Sequence, residues 1–303
     1  MGLAAKVMLD SGLKHFELRE MTNSVIDDQR EAVQTRKLLG LVAGGGKLPA
    51  VLAQSAKERG YDVVAFAIGE EANARVTPHC VKVIEIYPGQ LGKTMQLLKR
   101  EGIKECVFIG KLQKLELLRS IVKLDWTAVR ELSKLSDFSD DTIQAAVGDL
   151  AERNGVRVLT QSEFLKHIFP DIGVLTKRQP TADEYADIDF GIKIARESAR
   201  IGIGQTIVVK DRMILAIEAI EGTDEAIRRG VALARGPVVV CKVPKTNKDP
   251  RFDTPAVGLN TLEAMIGPKP GGVLAVAANE TLVVEEKEMA AFADKRDMSI
   301  VAV

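Results

Sequence analysis

Residues 38–46 read LLGLVAGGG, an apolar run that ends in three consecutive glycines. Residues 48–59 follow at helical spacing, with Leu48, Val51, Leu52 and Ser55 on one face and Gly60 past the end. A second apolar run, YDVVAFAI, begins at once at Tyr61. Neither strand alternates apolar with polar residues, so each expects cover on both faces. Strands of that kind, joined by a helix, build parallel sheets with helices on either side.

The same logic extends down the chain. CVKVIEI and GIKECVFIG read as further strands with a helix over 92–100 between them. Helices are predicted near 115–135 and 142–154, then the strand VRVLT. Prolines, turn formers and acids crowd 169–189, which is read as a linker leading into a helix over 190–200. Beyond it come the strands QTIVVK and RMILAIEAI with Asp211 at their turn, a helix over 224–233 and the strand GPVVVCKV. A helix over 261–266, the pair VLAVAA and TLVVEE, a helix over 287–295 and a last strand MSIVAV complete the order. The expected fold is α/β. An extension (1–36) precedes a doubly wound, Rossmann-like phosphate- or nucleotide-binding domain (37–172) and a second, mixed-sheet α/β catalytic domain (173–303).

Composition excludes some functions. Lys+Arg and Asp+Glu are 42 each, and aromatic residues make up 4 %, so neither bulk positive charge nor base-stacking platforms point to nucleic acid. Cys80, Cys106 and Cys241 lie far apart, and the last two sit in apolar runs; they read as buried thiols of a reducing cytoplasm. No apolar run approaches the ~18–20 residues of a membrane span. The first 36 residues lack the continuous apolar stretch of a signal peptide, and Lys6 stands where a myristoylation pattern needs Ser or Thr.

Three segments carry chemistry. A strand leading through Gly44, Gly45 and Gly46 into a helix offers backbone N–H groups and a helix dipole to an anion. It is neither a Walker loop, since Leu48 follows Lys47, nor a dinucleotide fingerprint, since Pro49 stands at the third glycine. The bland alternative is a tight turn. In AIEAIEGTDEAIRRG, Glu218, Glu221 and Asp224 crowd a strand end and the next helix start, with Thr223 or Asp224 as N-cap. Carboxylates there can hold Mg²⁺ against a pyrophosphate or orient a water; equally, Asp224 can simply cap the helix. In CKVPKTNKDPRFDTPAVGLNT, Lys242, Lys245, Lys248 and Arg251 alternate with Asp249 and Asp253, a pattern suited to phosphate oxygens or to a solvated loop. His15, His79 and His167 are isolated and form no zinc motif.

These segments resemble the LpxI-type UDP-2,3-diacylglucosamine pyrophosphatases. GLVAGGGKLP with YDVVAFAI is similar to that family's N-terminal half. SDDTIQAAVGDLAERNGVRV and GVLTKRQPTADEYADIDFG are similar to its domain junction. GQTIVVKDRMILAIEAIEGTDEAIRRG and KTNKDPRFDTPAVGLNT are similar to its C-terminal half. The resemblance implies hydrolysis of a lipid-bearing UDP-sugar to UMP and lipid X in lipid A synthesis, supported by Mg²⁺ or Mn²⁺. It implies Asp224 as the catalytic acid and a metal ligand, with Glu221 as a second ligand. Gly44, Gly45, Gly46, Gln205, Thr223, Lys242, Lys245 and Arg251 are the implied substrate contacts. The loop departs from the family's Pro-x-Gln-Asp, reading Thr246-Asn247-Lys248-Asp249. The acylated substrate implies a cytoplasmic enzyme that meets the inner-membrane surface transiently, and the apolar terminal strand suggests pairing in a homodimer. Two rival readings stand beside the hydrolase. One is a non-catalytic nucleotide-sugar binding protein. The other is an NAD(P)-dependent oxidoreductase with Glu70 at a ribose.

Overall fold

A computed structural model describes residues 36–111, 124–135, 140–245, 249, 251, 252 and 254–303. The extension, apart from Arg36, lies outside the described residues, as do Lys248 and Asp253. The first half alternates strands and helices: β1 (Lys37–Ala43), α1 (Leu48–Glu58), β2 (Tyr61–Ile68), α2 (Gly69–Val76), β3 (Lys82–Ile86), α3 (Leu91–Arg100) and β4 (Glu105–Ile109). Then come α4 (Trp126–Leu132), α5 (Asp140–Arg153), β5 (Arg157–Val158) and α6 (Ser162–Leu165). All five strands are parallel, in the order β3-β2-β1-β4-β5. Both faces of the sheet are covered, as expected. Leu39, Leu41, Val63 and Ala65 pack with α1, α2 and α6 residues, including Leu52, Val76 and Phe164. Val42, Val64 and Phe66 pack on the opposite face with Met95, Leu98, Leu150 and Ala151 of α3 and α5.

The second half holds β6 (Gly173–Val174), α7 (Ala182–Arg200), β7 (Thr206–Lys210), β8 (Met213–Ile217), α8 (Thr223–Ala234) and β9 (Val239–Lys242). After these come β10 (Ala256–Val257), α9 (Leu259–Ala264), β11 (Val273–Val276), β12 (Leu282–Val283), α10 (Glu286–Asp294) and β13 (Ser299–Ala302). Its six-stranded sheet runs β6-β13-β11-β9-β7-β8. The pairs β9–β11 and β11–β13 are parallel, and the rest are antiparallel. The expected turn between β7 and β8 is present, with Asp211 and Arg212 at positive φ and their amides donating to the Asp187 carboxylate.

Several expectations need correction. The helix expected from Phe190 begins at Ala182, inside the supposed linker. Thr181 and Glu184 form a reciprocal capping box that starts it there. The single helix expected over 115–135 does not run through: α4 starts at Trp126, because the Asp125 carboxylate accepts from the Ala128 amide as N-cap. Residues 112–123 lie outside the described residues. VLAVAA and TLVVEE are not paired. β11 lies between β9 and β13, whereas β12 pairs with β10 in a separate two-stranded sheet. The last strand is no free edge either, since β13 has β11 on one side and β6 on the other. Pairing through it across chains is therefore closed off. Cys106 and Cys241 are fully buried, and burial pushes the Cys106 thiol up to about 12.

Candidate active site

Three strands of the second sheet end in polar residues that stand side by side. Thr206 opens β7 opposite Lys242 at the end of β9. On its other side Glu218 follows β8, its amide donating to the Thr206 carbonyl at 2.9 Å. Cross-strand neighbours point to the same face, and that face is the one carrying Val208, Ala216 and Val240 against Ile227 and Val231 of α8. The row Glu218–Thr206–Lys242 thus continues an apolar face past its end. It lies where α8 begins.

Gly222, at φ 85°, turns the chain into α8, and no side chain caps the first turn. Thr223 enters the row instead. The Lys242 ammonium donates to Thr223 Oγ1 at 3.0 Å, and that hydroxyl donates to Glu218 Oε1 at 2.9 Å. Lys242 and Glu218 are 6 % and 9 % exposed and Thr223 between them is half-buried, so this is a largely buried polar string rather than a surface ion pair. Burial pushes the Lys242 ammonium below its ordinary value. Glu218 opposes that shift, Lys111 adds to it, and Asp224 opposes it again. Two acceptors in this corner, Glu218 Oε2 and Thr206 Oγ1, have no partner among the described residues. A buried acceptor without a partner costs ~1–3 kcal/mol, so the corner is built to receive something. The approach is close: a Cβ on Gly204 would lie 1.9 Å from the Glu218 carbonyl oxygen, so glycine alone fits there.

The glycine run lies at the strand-order switch between β1 and β4, where ligands of open α/β sheets bind. Its first two amides are not bare. Gly44 N donates to Ile109 O and Gly45 N to Lys111 O, both at 2.8 Å, and Lys111 N returns a bond to Gly45 O. Gly44 and Gly110 permit this approach, since a Cβ on Gly44 would meet Lys111 O at 2.7 Å. Gly46 turns into α1 at φ 93°, and the adjacent Lys47 forms an ion pair with Glu285 of the second half. Lys111, which the sequence reading passed over, is close enough to Lys242 for its charge to act there. Its signal was a strand ending Gly-Lys beside another ending in glycines.

The structure brings Thr223 to Lys242 and sets Asp224 near enough for its charge to act there. Gln205 precedes Thr206, and alternation along the strand turns it to the other face of the sheet. Glu221 and Arg251 are engaged with partners of their own. The Glu221 carboxylate is held below the usual range by its own backbone amide and by Arg229, which it meets at 2.6 Å. Arg251 donates to Asp249, Asp149 and Glu152, and these carboxylates raise its guanidinium further above its ordinary value. Lys245 is half-buried, just past β9. Among the described residues no three His, Cys, Asp or Glu side chains gather as a metal cage. Asp224, in the first turn of α8, is the carboxylate here that could join the oxygens of a bound phosphate in holding a divalent cation.

The LpxI N-terminal domain family matches residues 38–168, and the LpxI C-terminal domain family matches residues 171–301. The chain belongs to the LpxI family. The UDP-2,3-diacylglucosamine pyrophosphatase LpxI of Caulobacter vibrioides is 30 % identical over 282 residues, covering 88 % of this chain and 97 % of that protein. Among solved structures, an N5-carboxyaminoimidazole synthetase from Staphylococcus aureus covers 57 % of this chain and 38 % of its own, at 16 % identity and a TM-score of 0.23. That likeness is too slight to bear on an LpxI chain. The two LpxI halves meet the site from both sides: Lys111 and the glycine turn belong to the first, the Glu218–Thr223–Lys242 string to the second.

Proposed function

We propose that this LpxI chain hydrolyses the pyrophosphate of UDP-2,3-diacylglucosamine to UMP and 2,3-diacylglucosamine 1-phosphate, with Mg²⁺ or Mn²⁺, as a step of lipid A synthesis. The observation that carries the reading is the convergence of Lys111 and Lys242 from the two halves beside Asp224 and an uncapped helix start. Pyrophosphate cleavage needs charge neutralised on the phosphate oxygens and water placed in line with the leaving group. The two lysines and the first-turn amides of α8 bind and orient the anion. Thr206 presents a polar group to the sugar phosphate. A divalent cation would supply further neutralisation when bound, with Asp224 as the carboxylate to hold it and Glu221 joining only by leaving Arg229.

The acyl chains have a counterpart at the rim. Ile220 is 98 % exposed, and Ile201 and Ile203 are 61 % and 50 % exposed, on the two loops that meet at Gly204 and Glu218. At ~0.8 kcal/mol per buried CH₂, such isoleucines favour acyl chains or a bilayer surface. This supports a cytoplasmic enzyme that visits the membrane to collect its substrate.

The test is incubation of the purified protein with UDP-2,3-diacylglucosamine, with and without Mg²⁺ or Mn²⁺, following UMP and the lipid product. Metal-dependent release of both is expected, with Asp224→Ala losing at least a hundredfold in turnover at saturating Mg²⁺. Tight binding of the UDP-sugar without release would turn the reading to a binding protein.

A further inference from the structure

We propose that Glu218 is the carboxylate that takes the proton from the attacking water, a role that rests on the pyrophosphatase reading above. Among the acids at this end of the second sheet, Glu221 is spent on Arg229, while Glu218 combines burial with an oxygen that has no partner among the described residues. Its two oxygens are distinguished by geometry. Oε1 accepts from Thr223 Oγ1, which in turn accepts from the Lys242 ammonium. The carboxylate is therefore fixed in rotation with Oε2 left over. The Gly204 backbone closes against its main chain, so the residue cannot back away. A fixed, buried acceptor beside a phosphate-binding helix start is what general-base catalysis on water requires.

The step balances without any further reactant. The water oxygen bonds to one phosphorus of the pyrophosphate as the bond from that phosphorus to the bridging oxygen breaks. The bond pair leaves with the bridging oxygen on the departing phosphate. The water proton passes to Glu218 Oε2 and from there to the departing phosphate or to solvent. Lys242, held to the same string through Thr223, stands one hydroxyl away from the carboxylate. Thr223 is a positioning residue in this scheme.

The experiment compares wild-type protein with Glu218→Gln and Glu218→Asp, measuring kcat, KM and thermal unfolding on UDP-2,3-diacylglucosamine at saturating Mg²⁺. Glu218→Gln is expected to lose about 10²–10⁴-fold in kcat with KM within about threefold of wild type. Glu218→Asp preserves the charge facing Lys242 and carries the test if the glutamine variant does not fold. Its shorter reach is expected to cost at least tenfold in kcat at nearly unchanged KM. Either folded variant turning over within threefold of wild type overturns the proposal. So does recovery of Glu218→Gln at raised Mg²⁺, which would make Glu218 a cation ligand, and so does a loss no larger than the unfolded fraction explains. Failure of the wild-type protein to release UMP would instead sink the pyrophosphatase reading itself.

Discussion

Lys242 shows how much of this site is decided by single residues. Its ammonium is buried at a strand end where the preceding in-phase residue, Val240, faces the apolar core, and its compensation is Glu218, reached through one hydroxyl. Charges in such places are stable only as a set. Removing one partner leaves the other buried and uncompensated, at ~3–5 kcal/mol, whereas removing both is often nearly neutral. Lys242→Met and Glu218→Gln are each expected to lower stability to urea by about that amount, and the double variant to recover most of it. A double variant no more stable than the worse single one would show that the two charges are not coupled. A second lysine shares the corner: Lys111 adds to the depression of Lys242 that burial causes, against the opposing charge of Glu218.

At the scale of elements, α4 and α5 illustrate a clamp that acid releases. Glu131 of α4 accepts from Lys134 at 2.9 Å and from Arg153 of α5 at 2.8 Å, and the two, Lys134 first, hold its carboxyl down at about 2. Its folded value lies below the ordinary 4.5, so its contribution to stability is complete above about 4.5 and is lost as pH falls toward about 2. The stability gap between wild type and Glu131→Gln is therefore expected to be widest near neutrality and to close between those pH values. A gap that stayed constant from pH 6 to 2 would refute the clamp. Elements like these mark how far the sequence could be read. Long apolar strands and their helices were legible, because β1, β2 and β4 are buried on both faces and carry no competing pattern. The helix start at Ala182 was not, because the prolines and acids before it look like linker until Thr181 and Glu184 are seen as one cap. The site was legible in part. Thr223, Asp224 and Lys242 stand out by type and place, but the row through Thr206 depends on strand register, which local pattern does not give. Arg251 looked like a phosphate ligand because its three carboxylate partners include two a hundred residues away.

That distant pairing belongs to the whole molecule, where the second half reaches into both cores of the first. Phe252 lies in the apolar cluster on one face of the first sheet, 5.3 Å from the Phe108 ring, and its carbonyl accepts from Gln161 Nε2 at 2.6 Å. Leu282 lies in the cluster on the opposite face, fully buried. Arg251 to Asp149 and Glu152, and Lys47 to Glu285, add charged contacts around these anchors. Interfaces between domains are usually polar and permit independent motion; one anchored in the core from both faces does not. Lys111 and Lys242 then stand in one corner only because the halves are held in register. Calorimetry of the wild-type protein is accordingly expected to show one cooperative transition. Phe252→Ala is expected to cost about 3–5 kcal/mol and Leu282→Ala about 2–5 kcal/mol, each lowering the whole transition rather than half of it. The double variant should split the melt into two, with turnover falling before either half unfolds, because Lys111 and Lys242 lose their common frame. Two separate transitions in the wild-type protein would mean that these anchors do not couple the halves, and that the site is assembled only when substrate draws them together.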